Sequence, residues 1–166
     1  MNKRILFVCM GNICRSPAAE GIAKKFLEKK GLDGTIEIDS AGTLDYHEGE
    51  LPDPRMIKHA SKRGYKLDSR ARQFNPNNDF DHFDYIVTMD DDNYSEITSL
   101  DKKNKYKDKV YRMVSFGNKL KVNEVPDPYY SGSDGFEYVL DILEDSVDGL
   151  LKKVEDDIKR ENKNEN

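Results

Sequence analysis

The sequence predicts an α/β fold: one domain built on a parallel sheet with helices on both faces. Three observations predict it. Short apolar runs of strand length alternate with longer segments of helical periodicity, the pattern of parallel strands joined by crossover helices. The runs Ile5 to Val8 and Phe83 to Met89 read as strands buried on both sides. The first of them leads into a tight loop and then a helix start, and sheets of this type bind ligands beyond the carboxyl ends of their strands.

The elements follow in order. Arg4 to Cys9 is the first strand. Ser16 stands as the N-cap of the next helix, with Pro17 at its first position. Ala19, Ile22, Ala23, Phe26 and Leu27 recur at i, i+3, i+4, i+7 and i+8 and form one apolar stripe. Gly31 is its left-handed cap, with Leu32 as the hydrophobic contact beyond. Thr35 to Ala41 alternates through Ile36 and Ile38 as a half-buried strand does. Leu44 to Pro52 is a polar loop, and Asp53-Pro54 starts a helix that Gly64 ends.

After the strand Phe83 to Met89, a short helix runs from Asp92 through Tyr94, Ile97 and Leu100. Three consecutive acids share no face, so Asp90-Asp91-Asp92 reads as charge favouring a helix N-terminus rather than a metal cluster. Lys102 to Lys109 is a solvated loop, and Val110 to Phe116 a further strand. A long helix starts at about Asp134, lined on one side by Phe136, Leu140, Leu143, Val147, Leu150, Val154 and Ile158. Residues 1–159 form the domain, and 160–166 are expected to be a disordered tail too polar to pack.

At 166 residues the chain is long enough for one substantial core. A net charge of -5 argues against nucleic acid or an anionic membrane surface as the main partner. No apolar run approaches the roughly 20 residues that span a bilayer. The N-terminal run is also too short for a signal-peptide core, so a cytoplasmic location is expected. Both cysteines, Cys9 and Cys14, lie in one loop, which excludes a secreted disulfide framework. A metal site is a poor reading, since no histidine is near them in sequence. No metal and no other cofactor is expected, and His47, His59 and His82 read as surface or packing residues.

The chemistry concentrates in Val8-Cys9-Met10-Gly11-Asn12-Ile13-Cys14-Arg15-Ser16-Pro17. A loop between strand and helix turns backbone N–H groups into its own concavity, above the positive end of the helix. A cysteine at the floor of such a cradle should ionise well below its free value of roughly 8.5. A guanidinium on the rim can hold two phosphate oxygens with its planar fork. Gly11 and Asn12 suit the positive φ such a loop needs. The simplest chemistry is a thiolate attacking a bound phosphoryl group.

This segment resembles the signature V-C-x-G-N-x-C-R-S-P of the low-molecular-weight protein tyrosine phosphatases. Ile38 to Thr43, Phe83 to Asp90 and Val125-Pro126-Asp127-Pro128-Tyr129-Tyr130 resemble other recurrent segments of that family, in the same order. The resemblance implies a four-stranded parallel sheet in order 2-1-3-4. It implies Cys9 as nucleophile, Arg15 as phosphate clamp and Asp127 as general acid, in a loop stiffened by Pro126 and Pro128. Met10, Gly11, Asn12, Ile13, Cys14 and Ser16 complete the phosphate-binding loop. Ser16 would also donate to the Cys9 sulfur, and the Asn12 side chain and Ser40 would brace the loop. Tyr129 and Tyr130 would form one wall of an aromatic pocket and Tyr46 the opposite wall. Cys14 would be a redox partner, forming a disulfide that shields the nucleophile from irreversible oxidation.

The implied activity is hydrolysis of phosphotyrosine in proteins or peptides through a cysteinyl-phosphate, releasing inorganic phosphate, by a monomer or weak dimer. One departure stands out: Ser69 occupies the place of a histidine that many members carry behind the loop. Two relatives on the same fold compete. Arsenate reductases need further cysteines downstream, and none follows Cys14. Protein-arginine phosphatases carry threonine where Ile13 stands, and Ile13 with Tyr129 and Tyr130 favours an aromatic phosphoester. A non-catalytic phosphopeptide-binding or redox-sensing module is the reading from another class, and the joint presence of Cys9, Arg15 and Asp127 argues against it.

Overall fold

The computed structural model describes residues 2–166. Four strands form one parallel sheet: β1 (Lys3–Cys9), β2 (Ile36–Gly42), β3 (Tyr85–Thr88) and β4 (Val110–Arg112). Their order is β2-β1-β3-β4, the order expected. Five α-helices complete the chain: α1 (Arg15–Lys29), α2 (Pro54–Lys62), α3 (Asp79–His82), α4 (Asp91–Leu100) and α5 (Ser133–Asn164).

Strand β1 is central and carries the core on both sides. Ile5, Phe7 and Cys9 face a cluster that includes Ala19, Ile22, Leu140 and Leu143 from α1 and α5. Leu6 and Val8 face the opposite cluster, with Phe74, Phe80, Ile86 and Ile97. Successive side chains point to opposite faces of a strand, so a run without polar residues is the composition a doubly covered strand requires. Each fully buried side chain of this size contributes roughly 1.5–3 kcal/mol. On α5 the stripe from Phe136 to Val154 is buried as its spacing predicts, with Ile158 partly so.

Several boundaries differ from the sequence reading, each for a local reason. The helix after the first loop begins at Arg15 with Cys14 as its N-cap, so Ser16 lies inside the first turn and does not cap it. Its hydroxyl is engaged elsewhere, by Cys9 and Asn12. The last strand stops at Arg112, and Met113–Phe116 turns into a 3-10 helix instead. This turn lies hard against α5: a Cβ on Gly149 would come within 2.0 Å of the Phe116 carbonyl oxygen. Helix α5 runs on to Asn164, through residues expected to be an unstructured tail. No proline or glycine interrupts 160–164, and Lys3 Nζ reaches Glu161 at 2.7 Å to hold that turn against β1.

The ends of the helices follow familiar rules. Gly31 takes φ 70° after α1, and Leu32 N–H reaches back to the Leu27 carbonyl at 2.8 Å. Asp53 caps α2 by accepting from Arg55 N at 2.8 Å. The same residue ties that helix to the first loop, since Asp53 N donates to the Ile13 carbonyl at 2.8 Å.

Candidate active site

Strand β1 ends at Cys9 and α1 begins at Arg15, so residues 10–14 must turn the chain within a short span at the carboxyl edge of the sheet. One positive φ makes the turn: Asn12 at 58°. Gly11 does not share that conformation, contrary to the sequence reading. It is small for another reason, because a Cβ there would stand 3.1 Å from the His47 ring. The neighbouring strand backs the loop closely. Thr43 N and Leu44 N donate to the Cys9 and Met10 carbonyls at 2.9 and 3.0 Å, and a Cβ on Gly42 would come within 2.8 Å of Met10 O.

The loop carbonyls are thus used, while its N–H groups are not. Among the described residues, no protein group accepts from the backbone N–H of Gly11, Asn12, Ile13 or Cys14. Helix α1 adds the positive end of its dipole with no acidic residue in the first turn to oppose it. Free N–H groups converging at a helix N-terminus make a ready anion site.

Behind the loop lies a sealed polar layer. Cys9 Sγ is 3.0 Å from Ser16 Oγ. Asn12 Nδ2 donates to Ser16 Oγ at 2.8 Å and to Ser40 Oγ at 2.9 Å, while its Oδ1 accepts from Arg72 N at 3.0 Å. Ser40 Oγ in turn donates to Glu20 Oε1 at 2.6 Å. Asn12, Ser16, Ser40 and Glu20 are all buried.

Arg15 is 2% exposed. Its Nη1 donates to Asp90 Oδ2 at 2.6 Å and to the Val125 carbonyl at 3.0 Å, and its Nη2 lies 3.7 Å from Asp127 Oδ2. Burial works against the guanidinium's charge. The Cys9 sulfur and the Asp90 carboxylate, with Asp127, outweigh it and hold the Arg15 pKa above its ordinary value. The Asp90 carboxylate is shared: Oδ1 accepts from Asn93 N at 2.8 Å and caps α4. Cys14 is held as the neutral thiol. Burial, then the charges of Asp53, Cys9 and Asp127, push its pKa far up and keep it protonated.

Beyond this floor opens a cavity of about 220 Å³. Cys9, Met10, Gly11, Ile13, Cys14, Arg15 and Asp127 line it. Tyr129 and Tyr130, packed edge to face at 4.9 Å, also line it, with Tyr46 and His47. Arg55 of α2 stacks over the Tyr129 ring at 5.3 Å. Asp127 Oδ1 accepts from Tyr129 N at 3.0 Å, a local turn of the kind Asp-Pro favours.

The residues singled out from the sequence therefore come together in two shells. The cavity gathers Cys9, Met10, Gly11, Ile13, Cys14, Arg15, Tyr46, Asp127, Tyr129 and Tyr130; Asn12, Ser16 and Ser40 lie behind it. Three residues escaped the sequence reading. Asp90 was assigned only to a helix N-terminus, yet its second oxygen aims Arg15. His47 reads from the sequence as a surface or packing residue, yet it lines the cavity, held by Glu50 at 2.7 Å. Glu20, on the buried side of α1, had no local signal at all. Among the described residues no group of three or more His, Cys, Asp or Glu could hold a metal ion.

A doubly covered parallel sheet with such a cysteine–arginine loop at its carboxyl edge defines a class, α/β proteins with an oxyanion cradle between the first strand and the first helix. Comparison with known proteins narrows it. The family model described as low molecular weight phosphotyrosine protein phosphatase matches residues 4–161. A low molecular weight protein-tyrosine-phosphatase of Streptomyces coelicolor is 39% identical over 160 residues, covering 95% of this chain and 97% of its own length. The crystal structure of a protein tyrosine phosphatase from Entamoeba histolytica, with Hepes in its active site, is 47% identical. It superposes with a TM-score of 0.88 over 93% of this chain and 98% of that one. The drosophila arginine phosphatase is a more distant neighbour, at 29% identity and a TM-score of 0.83 over 90% of this chain and 96% of that one. The chain belongs to the low molecular weight phosphotyrosine protein phosphatase family, and it is an enzyme of that kind.

Proposed function

We propose that this phosphatase hydrolyses phosphotyrosine in two steps that need no metal. The Cys9 sulfur attacks phosphorus in line, while Arg15 and the loop N–H groups bear the charge of the equatorial oxygens. Asp127 protonates the departing phenol. It then takes a proton from the water that hydrolyses the cysteinyl-phosphate, and inorganic phosphate leaves. The observation that carries this reading is the convergence of Cys9, Arg15 and Asp127, distant in sequence, on one cavity. The aromatic flank of Tyr129 and Tyr130, with Tyr46, suits a phenyl ring and supports tyrosine over serine phosphate.

Cys14 serves in this reading as the resolving thiol. Peroxide would oxidise the Cys9 sulfur to a sulfenic acid with release of water; the Cys14 sulfur then attacks the Cys9 sulfur, the Cys14 proton leaves with the hydroxyl as water, and external thiol reverses the resulting disulfide. Substrates are tyrosine-phosphorylated proteins or peptides, the working species is a monomer or weak dimer, and the compartment is the cytoplasm. Among the described residues no helix is long and apolar enough to cross a membrane.

The deciding experiment measures phosphate release from matched peptides carrying phosphotyrosine, phosphoserine and phosphoarginine. Phosphotyrosine is expected to lead by at least tenfold. Comparable rates on phosphoserine would refute the aromatic pocket, and a lead by phosphoarginine would move the chain to the activity of its drosophila neighbour.

A further inference from the structure

Helix α5 starts without a cap of its own. Gly132 stands at its N-cap, and no side chain bonds the free N–H groups there. Gly135, in the first turn, weakens the helix start further. Close packing demands that glycine, because a Cβ on it would collide with Ser131 Oγ. The same hydroxyl donates to the Pro128 carbonyl at 2.8 Å, and Ser131 N donates to it at 2.9 Å. The turn that carries Asp127 is therefore seated directly on the first turn of α5.

His59 of α2 holds that first turn. Its side chain is 13% exposed, and its ring stacks on Phe136 at 5.6 Å with planes 3° apart. Nδ1 lies 3.0 Å from Glu137 Oε2, and a carboxylate only accepts, so Nδ1 carries a hydrogen. Nε2 meets Ser133 Oγ at 3.3 Å. One imidazole thus touches three residues of the turn. Two neighbours share parts of the task. The Arg55 guanidinium lies 4.9 Å from the Phe136 ring centre, and Arg63 Nη2 reaches the Glu137 carboxylate at 3.3 Å. Among the described residues, only His59 hydrogen-bonds the side chain of Ser133, where the helix begins.

We infer that His59 is a positioning residue for the first chemical step, acting through the start of α5 on Asp127; the inference rests on the general-acid role proposed above. In that step the Cys9 sulfur bonds to phosphorus, the P–O bond to the phenol breaks, and the Asp127 proton passes to the departing oxygen. His59 transfers nothing. The acid loop hangs between two anchors. At one end Val125 N donates to the Met89 carbonyl at 2.8 Å, and the Val125 carbonyl accepts from Arg15. That anchor belongs to the phosphate side and does not depend on His59. At the other end stands the first turn of α5, which does. With that end released, Asp127 strays from the leaving oxygen while the cradle still binds phosphate.

His59→Phe keeps a ring against Phe136 and removes both polar contacts. It is expected to lower kcat/KM about tenfold on phenyl phosphate, whose leaving group needs the proton, and less than about threefold on p-nitrophenyl phosphate. Competitive inhibition by inorganic phosphate should stay within about twofold of the unsubstituted protein. Ser133→Ala should show the same pattern more weakly, and His59→Gln, whose amide can still meet one partner, should lose less than His59→Phe. In an Asp127→Ala background, His59→Phe should cost nothing further. Unaltered kinetics in His59→Phe overturn the inference. So do equal losses on the two substrates, weakened phosphate inhibition, or additive losses in the double variant. A failure of the underlying reading would look different, as an Asp127→Ala variant that hydrolyses phenyl phosphate undiminished.

Discussion

The two sides of the cavity are built on opposite principles. The phosphate side is sealed: Asn12 and Ser16 are buried, and each side chain that shapes the loop is held by long-range partners from β2, α1 or the start of α4. The side proposed to receive the leaving group is open. Tyr46 is 79% and Tyr130 94% exposed, and Asp127 is fixed mainly by a turn with its own neighbour Tyr129. The difference teaches which part of the reaction the fold commits to. Charge on phosphoryl oxygens is the same for every substrate and is met by rigid donors, whereas the group that leaves varies and meets side chains free to adapt.

This contrast predicts graded losses. Cys9→Ser should abolish turnover, with a loss of roughly 10⁵–10⁶-fold, as removal of a nucleophile does elsewhere; appreciable residual hydrolysis would break the comparison at its root. Asp127→Ala should cost roughly 10²–10⁴-fold on alkyl-substituted phenyl phosphates. The penalty should shrink as the leaving phenol becomes more acidic, which a plot of rate against leaving-group pKa would reveal. Asp90→Asn weakens a charged hydrogen bond to Arg15 worth about 1.5–3 kcal/mol, or roughly 10–150-fold in kcat/KM. Competitive inhibition by inorganic phosphate should weaken with it. Tyr130→Ala should raise KM for a phosphotyrosine peptide only a few-fold and leave phosphate inhibition unaltered. Should it alter phosphate binding as well, the two sides are not independent.

Much of this site was legible in the sequence because its residues announce themselves locally. A Cys and an Arg bracketing a short Gly-Asn loop, and an Asp between two prolines, need no knowledge of distant partners. What stayed hidden depends on contacts across the sheet. Asp90 reaches Arg15 from the end of β3, and only the β1–β3 pairing brings them together. Glu20 and Ser40 meet because α1 packs on β2, which no spacing rule encodes. Ser16 was misplaced for the same reason: a cap preference is a local rule, and here a sulfur and an amide outbid the helix for its hydroxyl. The strand at Val110 was overextended because apolar periodicity does not reveal that α5 presses on Phe116.

The carboxylate shared between Arg15 and the first turn of α4 links chemistry to melting. A single side chain cannot let go of one duty without disturbing the other, so fraying of that peripheral helix also releases the guanidinium from its aim. Warming should therefore silence the enzyme while most of its secondary structure persists, and oxyanions that occupy the cradle should protect α4, a helix they never touch, against that loss.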